Sequence, residues 1–382
     1  MKNRFFLAIL MFLSASCFSQ NNFVSVLDMN TSARLGGFGE VGVVSSPFYN
    51  NTGAYQNPAL ISKNRKSAGL NYSYMPWLSN LVDDISFSNL AGFYAIDSSN
   101  AIALNFTYLN LGDIQIRDES GSFIDENKAK EFYLKFAYSH SFSKTISAGA
   151  AFKYFRSDIF SSNYYGAESV NSIAFDLGMS YDKKYKLNNS SYLNVAFGID
   201  ITNFGPKISY TDEEDKSFIP TKLAIGLFIN PDINLNDKFR LNIDLGYQAE
   251  KYLVPTSPVY GLEGEIVAGY DSDISSFKAL YQSFYDAPGG FDEEINEIRH
   301  KFGSEFRFSF QDYMYIAFRH GRNIEHKTKG NRKYQTWGYG IGICGFTLDY
   351  MKIKSDENKN LDDTWAFAIG YVINLDKDFF RF

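Results

Sequence analysis

The chain has 382 residues, with 36 Phe, 27 Tyr and 3 Trp against only 9 Pro, a composition that favours many short strands and excludes extended disorder. No run reaches the roughly 20 consecutive apolar residues of a helical membrane span, which excludes a helical bundle. The net charge of −6 has the wrong sign for neutralising phosphates, so nucleic acid is not an expected partner.

Lys2 and Arg4, the apolar stretch Phe5 to Leu13 and the small residues Ser14, Ala15, Ser16 and Ser19 have the layout of a secretory signal peptide over residues 1–19, cut before Gln20. Ser14-Ala15-Ser16-Cys17 lacks the Leu that a lipidation site carries three residues before its Cys, so cleavage without lipidation is expected. Cys17 then leaves with the signal and Cys344 is the one remaining thiol, so no intramolecular disulfide can form. Losing Lys2 and Arg4 takes the net charge to −8.

Residues 20–66 are irregular and rich in Gly, Asn and Ser, with Gly36, Gly37, Gly39 and Gly42 close together and Asn57-Pro58-Ala59 further on. Gly37-Phe38-Gly39-Glu40-Val41-Gly42 matches the dinucleotide-binding pattern letter for letter. That motif needs a preceding strand and a following helix, and neither is credible here, with Pro47 soon after. A tightly turning backbone is the better reading, with no cofactor. Residues 20–66 are expected to plug the lumen of a barrel formed by residues 67–382.

From Ala68 onward, period-two alternation recurs. Phe239, Leu241, Ile243, Leu245 and Tyr247 alternate with Arg240, Asn242, Asp244, Gly246 and Gln248. Fourteen candidate strands fall near 68–75, 85–95, 100–110, 130–142, 146–156, 172–182, 191–203, 221–230, 239–249, 303–310, 313–320, 334–343, 345–353 and 363–374. Most have about the 9–11 residues a tilted strand needs to cross a bilayer.

A soluble sandwich would also alternate, so the connections decide. Every second one is short (96–99, 143–145, 311–312, 344), with somewhat longer turns at 183–190 and 231–238, and the others are longer (76–84, 111–129, 157–171, 204–220, 250–302, 321–333, 354–362). This parity is that of an outer-membrane barrel with periplasmic turns and extracellular loops. The expected class is therefore all-β, a transmembrane antiparallel β-barrel of 14 strands with both ends periplasmic, located in the outer membrane and bathed in its lipid. A fifteenth candidate, Leu262 to Tyr270, would break the parity and is assigned to the large 250–302 extracellular loop. Tyr108, Tyr138, Tyr181, Tyr247 and Tyr371 would sit at the headgroup layer. Lys135, Lys153, Asp176, Asp200, Arg240, Asp244, Arg307 and Asp349 would face a hydrated or plugged lumen.

Catalytic chemistry finds little support. His140, His300, His320 and His326 have no metal-ligand spacing and no partner Cys cluster. The acidic run Asp212-Glu213-Glu214-Asp215 lacks a calcium-loop pattern and reads as a solvated loop tip. No Ser/His/Asp or Cys/His set is suggested, so neither an enzyme nor a metal site is expected.

Three blocks carry a family resemblance. Ala33-Arg34-Leu35-Gly36-Gly37-Phe38-Gly39-Glu40-Val41-Gly42-Val43 with Asn57-Pro58-Ala59-Leu60 resembles the plug segment of the FadL-type barrel superfamily. Tyr72-Ser73-Tyr74-Met75-Pro76-Trp77-Leu78, followed by Leu81-Val82-Asp83-Asp84-Ile85, is similar more narrowly to the PorV (LptO) family of the type IX secretion system in Bacteroidota. Asn105-Phe106-Thr107-Tyr108-Leu109-Asn110-Leu111-Gly112-Asp113-Ile114 continues that similarity. The resemblance implies a non-enzymatic outer-membrane subunit. Its implied partners are the giant translocon barrel, the C-terminal signal domains of cargo proteins, and the surface sortase and attachment complex.

Pro76, Trp77 and Leu78 fall on the long-loop side, where a large aromatic can anchor a partner or sit at the headgroups. Within 250–302, Phe277, Leu280, Tyr281 and Phe284 recur at i, i+3, i+4 and i+7, an apolar helical face that serves either as a lid or for docking. Two functions follow: a secretion subunit that binds protein cargo and partners, or a FadL-type transporter of small hydrophobic molecules, which the plug block alone would allow.

Overall fold

The computed structural model describes residues 24–44, 56–64, 67–117, 120–159, 168–211, 216–311, 313–356 and 361–375. The signal-peptide stretch 1–19, the acidic run 212–215 and residues 20–23, 45–55 and 65–66 of the plug segment lie outside them.

Alternating apolar and polar residues fold as antiparallel strands because successive side chains point to opposite faces. In chain order these are β1 (Ser67–Pro76), β2 (Ser86–Ala95), β3 (Asn100–Arg117), β4 (Phe123–Ser141), β5 (Ile146–Asp158), β6 (Val170–Lys186), β7 (Tyr192–Phe204), β8 (Lys222–Asn234) and β9 (Phe239–Tyr252). A short ribbon, β10 (Val259–Tyr260) with β11 (Ile266–Ala268), stands apart from the main sheet. The series resumes with β12 (Arg299–Phe310), β13 (Met314–Ile324), β14 (Lys333–Ile343), β15 (Phe346–Ser355) and β16 (Trp365–Asn374).

Each barrel strand pairs with its neighbour in sequence, β9 with β12 across the ribbon, and β1 with β16. The result is a closed barrel of fourteen strands, so every central backbone group finds a partner without an exposed edge. Leu262 to Tyr270 contributes to the ribbon and not to the barrel. Among the described residues, no helix is long and apolar enough to cross a membrane.

One expected loop is largely strand. β3 continues to Arg117 and β4 begins at Phe123, so most of 111–129 forms a hairpin that rises above the band. Its register shifts between Asn110 and Asp113, around Gly112 at φ +82°. Beyond that bulge the ladder pairs Asp113 with Lys128 and Gln115 with Glu126. Ile114 and Ile116 keep the alternation on β3, but the facing arm from Phe123 to Lys128 loses it, and periodicity no longer marks a strand there.

The outward rungs are apolar: Leu104, Phe136, Leu177, Leu227, Ile316, Leu348 and Ile369 are all exposed. Inward rungs hold the charges, with Lys135, Lys153, Asp176, Asp200, Asp244, Arg307 and Asp349 buried. An apolar exterior around a charged, water-poor interior is the inverse of a soluble sandwich.

Candidate functional site

Short helical segments pack inside and beside the barrel. α1 (Ala33–Gly37) is capped by Ser32, whose Oγ accepts from the Leu35 amide at 3.3 Å. A 3-10 turn, Pro58–Lys63, is capped by Asn57, whose Oδ1 accepts from the Ala59 amide at 2.9 Å, with Pro58 at the first helical position. Both lie against the inner wall.

The inner wall admits them through a belt of inward-facing glycines. Gly149 and Gly178 face each other across β5 and β6, and Gly246, Gly303 and Gly321 face one another across β9, β12 and β13. A methyl group built on Gly149 would lie 2.5 Å from the Pro58 carbonyl carbon, and one on Gly338 would lie 2.9 Å from Gly37 Cα. Gly39, at φ +68°, turns the chain against Phe302 and Gly321, where no side chain fits. Gly36 packs on Met351, and the Gly42 amide donates to Gln248 Oε1 at 2.9 Å.

Asn57 bridges within the segment and to the wall, its Nδ2 donating to Val43 O at 2.9 Å and Met179 O at 3.1 Å. Ser139 and Ser147 donate to Ala59 O at 3.0 and 2.9 Å. The structure thus brings Gly36, Gly37, Gly39, Gly42, Asn57, Pro58 and Ala59 together inside the barrel.

Two buried carboxylates act as ionic hubs. Glu250 accepts from Arg299 and, at 3.1 Å, from Lys301, while Lys301 also reaches Glu40 at 3.3 Å. Glu305 pairs with Arg307 and Arg319 on the wall and with Arg34 of α1 at 3.6 Å. Asp28 adds a pair with Lys222 at 2.9 Å, and Lys63 pairs with Asp182 at 3.0 Å. Such pairs fix geometry more than they add net stability, yet removing one partner is costly. Between this segment and the wall lies a polar cavity of about 90 Å³, lined by Lys135, Lys153, Lys222, Lys301, Asn203 and Tyr133, among others. Sequence reasoning missed the hubs and the glycine belt. Glycine at inward positions of successive strands was the available signal for the belt.

The long-loop rim carries the other candidate residues. Pro76 ends β1, and the Trp77 amide donates to Ile85 O at 2.9 Å while its ring stands edge-on to buried Phe87 at 6.3 Å. Trp77 is therefore committed largely to the barrel's own mouth. Leu78 turns at φ +54°, and Leu81 and Val82 beyond it are exposed. α2 (Ser276–Gln282) and α3 (Phe291–Asn296) flank the upper outer wall. Phe277 is 71% exposed and its ring meets Phe204 at 5.6 Å; Tyr281 and Phe284 are exposed and Leu280 is half-buried. Lys251 ties α3 to the wall through Glu294, at 3.0 Å, and Glu297.

This architecture defines an outer-membrane β-barrel, apolar outside and internally packed by its own N-terminal segment. The model of the type IX secretion system protein PorV family matches residues 20–259, well over half of the chain, and the chain belongs to that family. It is thus an outer-membrane component of the type IX secretion system. No curated protein matches the sequence. Among solved structures, the toluene transporter TbuX of Ralstonia pickettii is similar at 10% identity, covering 87% of this chain and 99% of that one, TM-score 0.40. A FadL homologue of Pseudomonas aeruginosa is similar at 10% identity, covering 92% and 100%, TM-score 0.42. Both are distant likenesses.

Proposed function

We propose that this protein receives exported cargo, by its C-terminal signal domain, from the giant translocon barrel and passes it to the surface sortase and attachment complex, without itself catalysing a reaction. In this reading residues 1–19 are removed on export, residues 20–66 serve as a permanent plug, and the 253–298 connection lies outside the cell. The observation that supports it, beside family membership, is the close seating of the described N-terminal residues on the inner wall, at Pro58 against Gly149 and Gly37 against Gly338, with a polar cavity of about 90 Å³ beside them. Exchange of cargo then takes place at the long-loop rim. Leu81 and Val82, next to Pro76, Trp77 and Leu78, together with Phe277 and Tyr281 of α2, are among the exposed apolar groups there. Transport of hydrophobic molecules fits less well, because four lysines line that cavity.

A deletion strain tests the proposal when complemented with the wild-type chain or with Phe277→Ser and Tyr281→Ser together. Cargo should remain in the periplasm or unprocessed in the deletion strain, with the outer membrane intact. The double variant should assemble but restore surface display only in part. Normal surface display in the deletion strain would refute the proposal and favour the solute transporter.

A further inference from the structure

An apolar cleft of about 230 Å³ separates the helical pair from the outer wall, lined by Leu223, Ile225, Ala249, Phe284, Phe291 and Ile295. Its charged neighbours are already spent, because the Lys251 ammonium is held by Glu294 and Glu297. What remains for an occupant is hydrocarbon.

The cleft continues downward. Ile225 pairs with Ala249, and the next outward rung pairs Leu227 with Tyr247. Leu227 and Tyr247, with Ile229, Leu245 and Phe302, line a second apolar depression of about 470 Å³ on the same face. That lower depression faces outward on the same wall, and at its upper end stand Tyr247, bonded to His300 at 2.8 Å, with Arg322 and Ile324. The upper cleft is thus open to the outer leaflet from below. Its outer lip, Phe291 at 76% exposure and Ile295 at 46%, is the apolar face expected of a short helix lying in the interface.

The geometry points to a seat for one acyl chain of an outer-leaflet lipid, threaded up the β8–β9 face and held behind α3. The helical pair then rests on lipid, and its apolar lip needs no other cover.

The test reconstitutes the full chain in phosphatidylethanolamine vesicles in which one acyl chain carries a terminal diazirine. After irradiation, adducts should concentrate on peptides containing Ile225, Ala249 and Phe284 to Ile298, at least fivefold above the outer wall of β14 to β16. Ala249→Phe, which fills the cleft, should reduce the local yield fivefold or more while the heat-dependent gel shift persists; Ile295→Trp provides a second filling variant on α3. Labelling spread evenly around the barrel would overturn the proposal. So would undiminished labelling in both assembled variants.

Discussion

Replacing Gly149 by Ala probes the closest approach between the N-terminal segment and the wall. The new methyl would lie 2.5 Å from the Pro58 carbonyl carbon and 2.7 Å from both the Ala59 nitrogen and the Pro58 oxygen. These are backbone atoms, so no side-chain rotation relieves the clash. Restoring an ordinary 3.4 Å contact needs a shift of about 0.9 Å. The turn is pinned at Ala59 O by Ser139 and Ser147, at 3.0 and 2.9 Å, and a shift of that size carries both beyond hydrogen-bonding range. Overpacking costs about 1–3 kcal/mol and each of the two lost hydrogen bonds about 1 kcal/mol, so a loss of about 3–5 kcal/mol is expected. The assay is the denaturant midpoint in detergent, paired with limited proteolysis of residues 56–64. Gly92→Ala is the control, because Gly92 lies on an outward rung where a methyl meets nothing closer than 3.4 Å. If Gly149→Ala matches this control in both readouts, the close docking of the turn is refuted.

Glu305→Ala should cost about 3–5 kcal/mol, since it leaves Arg34, Arg307 and Arg319 without their shared carboxylate; an unchanged midpoint would remove Glu305 as a hub. In the 253–298 connection, burial first, then the nearby Glu294 and Glu297, pushes the Asp286 carboxyl up to about 7. Its folded value exceeds its unfolded value of about 3.9, so the native loop keeps a proton that the unfolded loop releases, and local stability falls as pH rises from about 4 to about 7. Amides of α2 and α3 should therefore be better protected from hydrogen exchange at pH 5 than at pH 7.5, after correction for intrinsic rates, and Asp286→Asn should flatten the difference. Greater protection at the higher pH would contradict the sign.

All fourteen barrel strands were legible because each crosses from a lipid-facing to a lumen-facing environment at every residue, which period two records directly. Legibility failed beyond the bulge: Asp113 to Arg117 still alternates, but Phe123 to Lys128 opposite it does not, and with both arms largely exposed the pairing there is set by register alone. β12 likewise begins at Arg299, four residues before the pattern suggested, because Arg299 and Lys301 serve Glu250 inside the barrel. Gly36, Gly37, Gly39 and Gly42 were visible as a turning segment, and the wall glycines Gly338 and Gly321 as inward positions, but that Gly37 and Gly39 lie against them shows only when the sheet closes. Phe277 and Tyr281 kept the exposure expected of a helical face, whereas Trp77 gave much of its ring to Phe87. Spacing along the chain does not encode such a choice between outside and inside contacts at a loop.

The boundary at residue 66 marks a change of pattern and not a division of stability. Each buried apolar cluster inside the barrel draws on both sides of it. Val26 and Leu27 join Met75, Phe87 and Leu109; Leu60 and Ile61 join Phe93 and Ala103; Phe38, Val41, Val43 and Val44 join Ala196, Ala224 and Phe228. Fully burying a side chain of this size contributes about 1.5–3 kcal/mol, and the segment's ion pairs through Asp28, Arg34, Glu40 and Lys63 would have to break as well. A partner inverts a two-state equilibrium only with a differential affinity of about 5.5 kcal/mol per hundredfold swing each way, and expelling this segment would demand considerably more. On the proposed reading, a barrel held closed in this way works at its rim and outer wall. The proposal therefore puts function on the exposed apolar groups at Leu81, Phe277 and Phe291 and leaves the charged residues inside the barrel to hold the segment in place.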